Sequence, residues 1–199
     1  MVRARKKDTA LVSQKGIRSF LNVGAPLVGA LKRDNGHMNR HRAGTRPAPT
    51  TILQTTHSEK ETSLLAKKLG RKLKAGDVIA LTGPIGAGKT VFIKGLAQGL
   101  GVKNPDEVKS PTFVLLHLYE GRFPIQHFDL YRLERQEELE GIGFDDFLSR
   151  PEAVTLVEWA DKAKERIPQN SLWIHLKVTG PHSRNIVIAP NEGIAWRRS

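Results

Sequence analysis

The sequence predicts an α/β fold, a three-layer α/β/α domain around a sheet that contains both parallel and antiparallel strands. Two observations carry this prediction. Helical and strand patterns alternate in the first half of the domain, and pairs of strand patterns separated by short turns follow in the second half. With 199 residues, of which 39% are hydrophobic, the chain is long enough for one globular core with extra chain outside it.

The first helix is predicted to begin at a capping box. The Ser58 side chain can accept a hydrogen bond from the Glu61 N–H, and the Glu61 carboxylate can reach back toward the helix start. Leucines then recur at the spacing of one helical face, at Leu65, Leu69 and Leu73. The apolar residues 78–81, which follow a turn, predict a buried strand.

Residues 83–90, directly after this strand, read Gly-Pro-Ile-Gly-Ala-Gly-Lys-Thr, and a helical pattern then runs from Lys89 to near Gly101. In this strand–loop–helix setting the sequence predicts a phosphate-binding loop. Its glycines let backbone N–H groups surround an anion, and the helix N-terminus adds positive potential. Lys89 would reach the β- and γ-phosphates, and the Thr90 hydroxyl would bind Mg²⁺. We therefore expect a P-loop NTPase-like domain that binds a nucleoside triphosphate.

The second half of the domain contains further strand patterns and short helical patterns. Strands are predicted over residues 112–119, 123–129, 154–158, 172–178 and 185–189. Short helical segments are predicted over residues 136–139, 143–148 and 160–166. The first two strands and the last two are each expected to form a hairpin, because Gly-containing turns separate them.

Two of the predicted strands end in a carboxylate, Asp129 and Glu158. Ligands of open α/β sheets bind beyond the carboxyl ends of the strands, so we expect both acids near the phosphates. Phosphoryl chemistry needs a carboxylate that holds the metal and a group that orients the attacking oxygen. His127 is expected to be a hydrogen-bonded scaffold residue rather than a metal ligand. Ser110 and Thr112 could sense the γ-phosphate, although the turn chemistry of the proline between them explains them equally well.

The composition excludes several classes of function. The chain has no cysteine, which rules out disulfides, thiolate nucleophiles and Cys-ligated zinc. No apolar stretch approaches the roughly 20 residues that span a bilayer, so we expect a soluble, cytoplasmic protein without a membrane partner. ATP is the expected nucleotide, since the sequence lacks the Asn/Thr-Lys-x-Asp segment that guanine-specific proteins use.

Residues 1–50 are predicted to form a basic, disordered extension ahead of the domain over residues 51–199. They hold eleven of the 32 Lys and Arg residues but only two of the 20 Asp and Glu residues, and Gly and Pro interrupt them repeatedly. Three interpretations stay open. The segment could be an arm that binds RNA or DNA phosphates, an organellar targeting peptide, or a non-functional extension upstream of a later start near Met38.

Four motifs in order resemble the TsaE (YjeE) family of small ATPases, over about residues 52–190. They are the loop at 83–90, the Lys-Ser-Pro-Thr-Phe of residues 109–113, the His-Phe-Asp-Leu-Tyr-Arg of residues 127–132, and Glu158-Trp159. The resemblance implies a role in making tRNA threonylcarbamoyladenosine, a modified base beside the anticodon. It further implies partner proteins TsaD and TsaB, contact with tRNA through that complex, and ATP hydrolysis that depends on Mg²⁺.

The resemblance also implies roles for individual residues. The ATP phosphates would be bound by Gly83, Gly86, Ala87, Gly88, Lys89 and Thr90. Mg²⁺ would be held by Thr90 and Glu158, and Asp129 would be the hydrolytic acid, acting with Lys89. A switch that senses the nucleotide would consist of Ser110, Thr112 and Trp159. Glu59 would line the adenine side, and Arg184 would approach the nucleotide.

The loop departs from the family pattern at its front, because Pro84 stands where an acidic residue is usual. Proline lacks the backbone donor and restricts φ, which predicts a stiffer loop. Two rival functions stay open at this point. One is a P-loop kinase of a small molecule such as a nucleoside, and the other is a nucleic-acid-binding module built on residues 1–50.

Overall fold

The computed structural model describes residues 51–190 as an α/β domain built on one seven-stranded sheet. Its strands and α-helices, in chain order, are β1 (Ile52–Thr56), α1 (Glu59–Gly70), β2 (Val78–Thr82), α2 (Lys89–Gly99), β3 (Leu116–Glu120), β4 (Pro124–Asp129), α3 (Glu137–Gly141), α4 (Phe144–Leu148), β5 (Val154–Glu158), β6 (Leu172–Val178) and β7 (Arg184–Pro190). The predicted basic extension, residues 1–50, lies outside the described residues, as do residues 191–199. Within the described range, no helix combines the length and the apolar character needed to cross a bilayer.

The sheet is parallel at its centre and antiparallel at both edges, which confirms the predicted mixed sheet. The strand order is β1-β7-β6-β2-β5-β4-β3. Strand β2 pairs in parallel with β5 and β6, and β4 pairs in parallel with β5. Every residue of β2 and β5 is buried, as expected for parallel strands that are covered on both faces. The pairs β3–β4, β6–β7 and β1–β7 are antiparallel.

Two apolar cores, one on each face of the sheet, give the domain its three layers. Side chains alternate between the two faces along each strand, so Ile174 of β6 joins one core while its neighbour Trp173 joins the other. The first core lies beneath α1 and α2 and includes Leu69 and Leu96. The second core lies beneath the short helices α3 and α4 and includes Phe144. The predicted three-layer α/β/α architecture is confirmed.

The start of α1 follows the sequence closely, whereas its end, at Gly70, comes before Leu73, the last leucine of the predicted helical face. Ser58 is the N-cap, and its side chain accepts a hydrogen bond from the Glu61 N–H at 3.1 Å, as predicted. The Glu61 carboxylate reaches back one residue further than the capping box requires, because it accepts from the His57 N–H at 2.8 Å. Leu69 and Leu73 are buried, whereas Leu65 is only partly buried at the margin of the core.

The structure differs from the predicted elements by one additional strand and by two shifted boundaries. Strand β1 was not predicted from the sequence, since its five residues gain their order from pairing with β7. The strand predicted over residues 112–119 begins only at Leu116, because the N–H groups of Val114 and Leu115 both donate to the Pro111 carbonyl in a turn. The helix predicted over residues 160–166 is a single 3-10 turn, Ala160–Ala163.

Helices α1 and α2 lie so close together that glycines line their contact. A Cβ atom added to Gly95 would lie 2.4 Å from the Ser63 carbonyl oxygen and 2.6 Å from the Ala66 Cβ. One added to Gly99 would lie 2.4 Å from the Lys67 carbonyl oxygen. Since Gly95 and Gly99 are one helical turn apart, they let the two backbones approach where larger residues would separate them.

We predict that Gly95→Ala destabilises the domain even though alanine favours helix formation by about 1 kcal/mol over glycine. The added methyl group meets backbone atoms that cannot turn away, and overpacking of this kind typically costs about 1–3 kcal/mol. Urea unfolding followed by circular dichroism measures the change. Gly141→Ala is the control, because nothing lies within 4 Å of its Cβ position. An unchanged or higher unfolding free energy for Gly95→Ala would contradict the close-contact interpretation.

Candidate functional site

The loop between β2 and α2 has the backbone conformation that its glycines allow. Gly83, Gly86 and Gly88 have positive φ angles of 137°, 74° and 97°. A Cβ atom on Gly83 would lie 2.3 Å from the Leu176 carbonyl oxygen, so no other residue fits there. Gly88 caps α2 without a side-chain acceptor, and the first turn of α2 contains no acidic residue. The N–H groups at this helix start can therefore donate to an external anion.

The Lys89 ammonium group lies at the centre of the loop. Its Nζ donates to the carbonyls of Gly83 at 2.9 Å and Pro84 at 3.0 Å, and it lies 3.6 Å from the centre of the Trp159 ring. An ammonium has three N–H donors, so one can still reach a phosphate oxygen. Burial lowers the pKa of Lys89, while the nearby carboxylates of Glu158 and Asp129 act in the opposite direction.

The Glu158 carboxylate, at the end of β5, lies opposite the start of α2. The Thr90 hydroxyl donates to both of its oxygens, at 3.0 Å to Oε1 and 3.1 Å to Oε2. The His127 Nε2 atom lies 3.1 Å from Oε1. His127 thus contacts a carboxylate within the scaffold, as the sequence analysis expected. Asp129 pairs with Glu158 in the register of β4 and β5, so the two strand-end acids lie side by side.

Thr90 and Glu158 suit a magnesium ion that a bound phosphate helps to hold. Because the Thr90 hydroxyl hydrogen points to the carboxylate, the lone pairs of its oxygen can face a cation. Among the described residues, no group of three or more His, Cys, Asp and Glu side chains could hold a metal. Mg²⁺ is typically bound by one or two carboxylates together with phosphate oxygens and waters, and this donor set fits that pattern.

The Asp129 carboxylate is held by the loop that precedes β3. Its Oδ2 accepts hydrogen bonds from the Ser110 hydroxyl and from the Thr112 hydroxyl, the latter at 2.7 Å. Its Oδ1 accepts from the Tyr131 N–H at 2.9 Å. Asp129 is only 2% exposed, so these donors fix the direction in which its oxygens point. The loop at residues 110–112 and the acid therefore form one connected unit.

A cavity of about 390 Å³ joins these groups, and its size falls in the range of small-molecule sites. The predicted site residues that line it are Glu59, Gly86, Gly88, Lys89, Thr90, Ser110, Thr112, Asp129, Glu158 and Trp159. The remaining predicted residues lie next to it. Ala87 is fully buried behind the loop, the Gly83 carbonyl contacts Lys89, and the Arg184 Nε lies 3.8 Å from the Cβ position of Gly88.

Three cavity residues were not predicted as site residues, namely Ile85, Val91 and Tyr131. Tyr131 belongs to the His-Phe-Asp-Leu-Tyr-Arg segment, and its ring lies 5.1 Å from that of Trp159. Its position in this segment, two residues after Asp129, was the sequence signal that could have identified Tyr131. Trp159 has a φ of +56°, a left-handed conformation that costs a non-glycine residue about 1–3 kcal/mol and is concentrated at functional sites.

A second cavity, of about 340 Å³, borders the start of the glycine-rich loop, at Gly83 and Pro84. It is lined by Thr82, Gly83, Pro84, Trp159, Asp161 and His175. The Thr82 hydroxyl and the His175 Nδ1 atom are 2.9 Å apart, and burial lowers the pKa of His175. Nothing in the sequence pattern predicted this cavity, because its walls come from three segments that are distant in the chain, at residues 82–84, residues 159–161 and His175.

The chain is similar to proteins of one family. The family model described as "Threonylcarbamoyl adenosine biosynthesis protein TsaE" matches residues 56–186. A protein of Treponema pallidum named tRNA threonylcarbamoyladenosine biosynthesis protein TsaE is 37% identical over 134 residues, which are 67% of this chain and 97% of that protein. The protein of the same name from Bacillus subtilis is 42% identical over 132 residues, 66% of this chain and 80% of that protein.

A solved structure agrees with the sequence relatives. The crystal structure of YdiB from Bacillus subtilis superposes with a TM-score of 0.56 at 32% sequence identity. The match covers 73% of this chain and 88% of the YdiB chain. This similarity supports the P-loop NTPase-like fold that the strand–loop–helix pattern predicted.

We predict that Thr112→Val loosens the loop before β3, because a hydrogen bond to a buried carboxylate contributes about 1.5–3 kcal/mol. Hydrogen exchange of the Val114 and Leu115 amides, which both donate to the Pro111 carbonyl, should accelerate by roughly 10-fold or more. Thr55→Val serves as the control, since the exposed Thr55 hydroxyl donates to Asn185 of the neighbouring strand β7. Unchanged exchange at both amides would show that the Thr112 hydroxyl does not hold this loop.

Proposed function

Because the chain belongs to the TsaE family of threonylcarbamoyl adenosine biosynthesis proteins, we propose that it binds ATP with Mg²⁺ and hydrolyses it within the machinery that modifies tRNA. The family membership gives the chain its role in the biosynthesis of tRNA threonylcarbamoyladenosine. The ATPase activity, the magnesium ion and the named partners form our proposal. One observation carries it: two buried carboxylates, Asp129 and Glu158, line the same cavity as the phosphate-binding loop.

The loop and Lys89 are proposed to bind the triphosphate. Backbone N–H groups at Gly86, Gly88 and the start of α2 would donate to phosphate oxygens, and the helix terminus favours negative charge. The Lys89 ammonium, which two loop carbonyls already orient, would contact the β- and γ-phosphates. Glu59, which lines the cavity, and Arg184, which lies beside Gly88, would lie toward the adenosine end.

Thr90 and Glu158 are proposed to hold the magnesium ion. When bound, this ion would neutralise charge on the β- and γ-phosphate oxygens. Thr90 would offer its oxygen while its hydrogen stays on the Glu158 carboxylate. The presence of both groups at one wall of the cavity supports this assignment.

Asp129 is proposed to orient the attacking water and to accept its proton. The water oxygen forms a bond to the γ-phosphorus, the bond between that phosphorus and the β–γ bridging oxygen breaks, and ADP and phosphate leave. Asp129 suits this task because Ser110, Thr112 and the Tyr131 N–H hold its oxygens in place. Since Ser110 and Thr112 also line the cavity, the same loop would move with the state of the γ-phosphate, and Trp159 would report it.

The proposed partners are TsaD and TsaB, with tRNA contacted through their complex. The support is the resemblance of the motifs together with relatives whose names place them in tRNA threonylcarbamoyladenosine biosynthesis. An ATPase whose catalytic acid is tied to a surface loop suits such a role, because a partner that binds the loop would alter the acid. We propose that hydrolysis is slow in the isolated chain and faster in the complex.

We predict that Asp129→Asn lowers the rate of ATP hydrolysis by about 10²–10⁴-fold, the usual contribution of a positioned general base. ATP affinity should stay near that of the wild type, because the loop and Lys89 are unchanged. Phosphate release and calorimetric titration measure the two quantities. Asp106→Asn, on the exposed 3-10 helix Pro105–Glu107, is the matched control. Full activity of Asp129→Asn would remove the hydrolytic assignment, and ATP-dependent phosphorylation of an added nucleoside would favour the kinase alternative.

We also predict that adding purified TsaD and TsaB raises the rate of phosphate release by this chain. The physical reason is that a partner can order the loop at residues 110–112 and with it the Asp129 oxygens. The measurement compares the chain alone, the three proteins together, and the three proteins with Asp129→Asn, which provides the background. A rate that is independent of the partners would contradict the proposed coupling.

A further inference from the structure

We propose that His127 is a positioning residue that fixes the rotation of the Glu158 carboxylate and thereby reserves its Oε2 atom for the metal. The proposal rests on the proposed function, because it concerns the magnesium site of that function. His127 does not line the cavity, so any effect on the metal must pass through Glu158. Nothing in the motif pattern distinguishes this role from that of an ordinary buried histidine.

The geometry of the pair is set by the parallel strands β4 and β5. His127 pairs with Leu156 in the register, two residues before Glu158 on the same face of the sheet. Its side chain is 0% exposed and that of Glu158 is 3% exposed. The Nε2–Oε1 distance is 3.1 Å. A rigid sheet therefore holds both partners, and little freedom remains in their separation.

The chemistry of the pair determines where the imidazole hydrogen lies. An ionised carboxylate only accepts hydrogen bonds, so Nε2 must carry the hydrogen. The other ring nitrogen, Nδ1, is buried and has no hydrogen-bond partner among the described residues. A buried polar atom without a partner costs free energy, and an apolar side chain of similar volume would avoid that cost. A histidine at this position therefore makes the fold less stable than an apolar residue would, and its hydrogen bond to Glu158 is what the apolar residue could not provide.

The hydrogen bond from His127 makes the two oxygens of the Glu158 carboxylate unequal. Oε1 accepts from both His127 and Thr90, whereas Oε2 accepts from Thr90 alone among the residues of the described domain. The terminal torsion of a glutamate is broad and roughly two-fold, and the Thr90 hydroxyl can follow either oxygen. The His127 donor makes the two oxygens different. It holds Oε1 and leaves Oε2 with the larger unused acceptor capacity, on a carboxylate that lines the cavity.

The His127 ring is itself held in place by the neighbouring edge strand. The Tyr119 ring of β3 lies 6.2 Å from it, centre to centre. The Tyr119 hydroxyl donates to the Lys109 carbonyl at 3.1 Å and accepts from the Lys109 N–H at 3.3 Å. This arrangement limits rotation of the imidazole away from Glu158, as a positioning residue requires.

The test compares two amides at position 127. His127→Gln places a donor near the Nε2 position, and His127→Asn places one near Nδ1, where it cannot reach Glu158. Residues that orient a metal ligand typically contribute 10–100-fold in metal affinity. We expect His127→Asn to raise the Mg²⁺ concentration that half-maximally enhances ATP binding by about 10-fold or more. His127→Gln should stay much closer to the wild type. ATP affinity without Mg²⁺ should be the same in all three proteins.

Calorimetric titration with ATP at a series of Mg²⁺ concentrations is the readout, so no turnover is needed. Gln126→Leu is the matched control. Gln126 is the preceding residue, is 1% exposed and also has an unpartnered amide, but it points to the opposite face of the sheet. This variant should leave the Mg²⁺ dependence unchanged. If His127 had a purely structural role, its substitution would lower ATP affinity equally with and without Mg²⁺. His127→Gln and His127→Asn would then have the same effect.

Each outcome is decisive. If the wild type binds ATP with no dependence on Mg²⁺, the proposed magnesium site fails and the role of His127 fails with it. If the wild type shows the dependence and His127→Asn matches it, only the positioning role is overturned. If His127→Asn does not fold, nitrogen NMR of the wild-type protein shows which ring nitrogen of His127 carries the hydrogen. A hydrogen on Nε2 supports the proposal, and a hydrogen on Nδ1 alone overturns it.

Discussion

Two buried carboxylates beside one ammonium group are the constraint on which the rest of this structure depends. Asp129 and Glu158 are each 2% exposed and Lys89 is 5% exposed, and charges buried to this extent destabilise a fold unless they are paired or hydrogen-bonded. Each charge therefore has its own set of partners. Thr90 and His127 contact Glu158, Ser110 and Thr112 contact Asp129, and loop carbonyls contact Lys89.

This requirement explains why the sheet has parallel strands at its centre. Strands β4 and β5 run in parallel and in register, so their last residues, Asp129 and Glu158, reach the same edge. Strand β2, parallel to β5 on the other side, delivers the phosphate-binding loop to that edge as well. Only backbone geometry is needed to bring the two acids and the loop together, and the surrounding hydrogen bonds then determine what each acid can do.

The loop before β3 contrasts with this rigid frame. The Ser110 and Thr112 hydroxyls of this loop donate to the Asp129 carboxylate. At the tip of the loop, Phe113 and Val114 are 81% and 60% exposed. Leu115, at its end, has a φ of +62°, a conformation that is strained for a leucine. A segment that has few buried contacts and stored strain, and is tied to a cavity acid, can change conformation at low cost. The frame holds the charges, and this loop is the element that can respond.

Elements of the fold could be predicted from the sequence where the signal lies in residues that are close together in the chain. The alternating and periodic apolar patterns, the capping box at Ser58 and the glycine-rich loop were all read from neighbouring residues, and the mixed sheet, three layers and family followed from them. Strand β1 could not be predicted in this way, because its order comes from β7, far along the chain. The strand expected from residue 112 begins only at Leu116, because a turn closes on the Pro111 carbonyl and the Thr112 hydroxyl donates to Asp129, seventeen residues later and outside the local pattern.

The sequence by itself determined which groups the site contains, since a glycine-rich loop with a lysine, a threonine and strand-end acids is a local pattern. Only the tertiary structure decided how these groups are divided. In the folded domain Glu158 is hydrogen-bonded by Thr90 and His127, whereas Asp129 is hydrogen-bonded by the loop at residues 110–112. The physical reason is that hydrogen-bond partners are chosen by distance across the sheet, and spacing along a chain does not contain that distance.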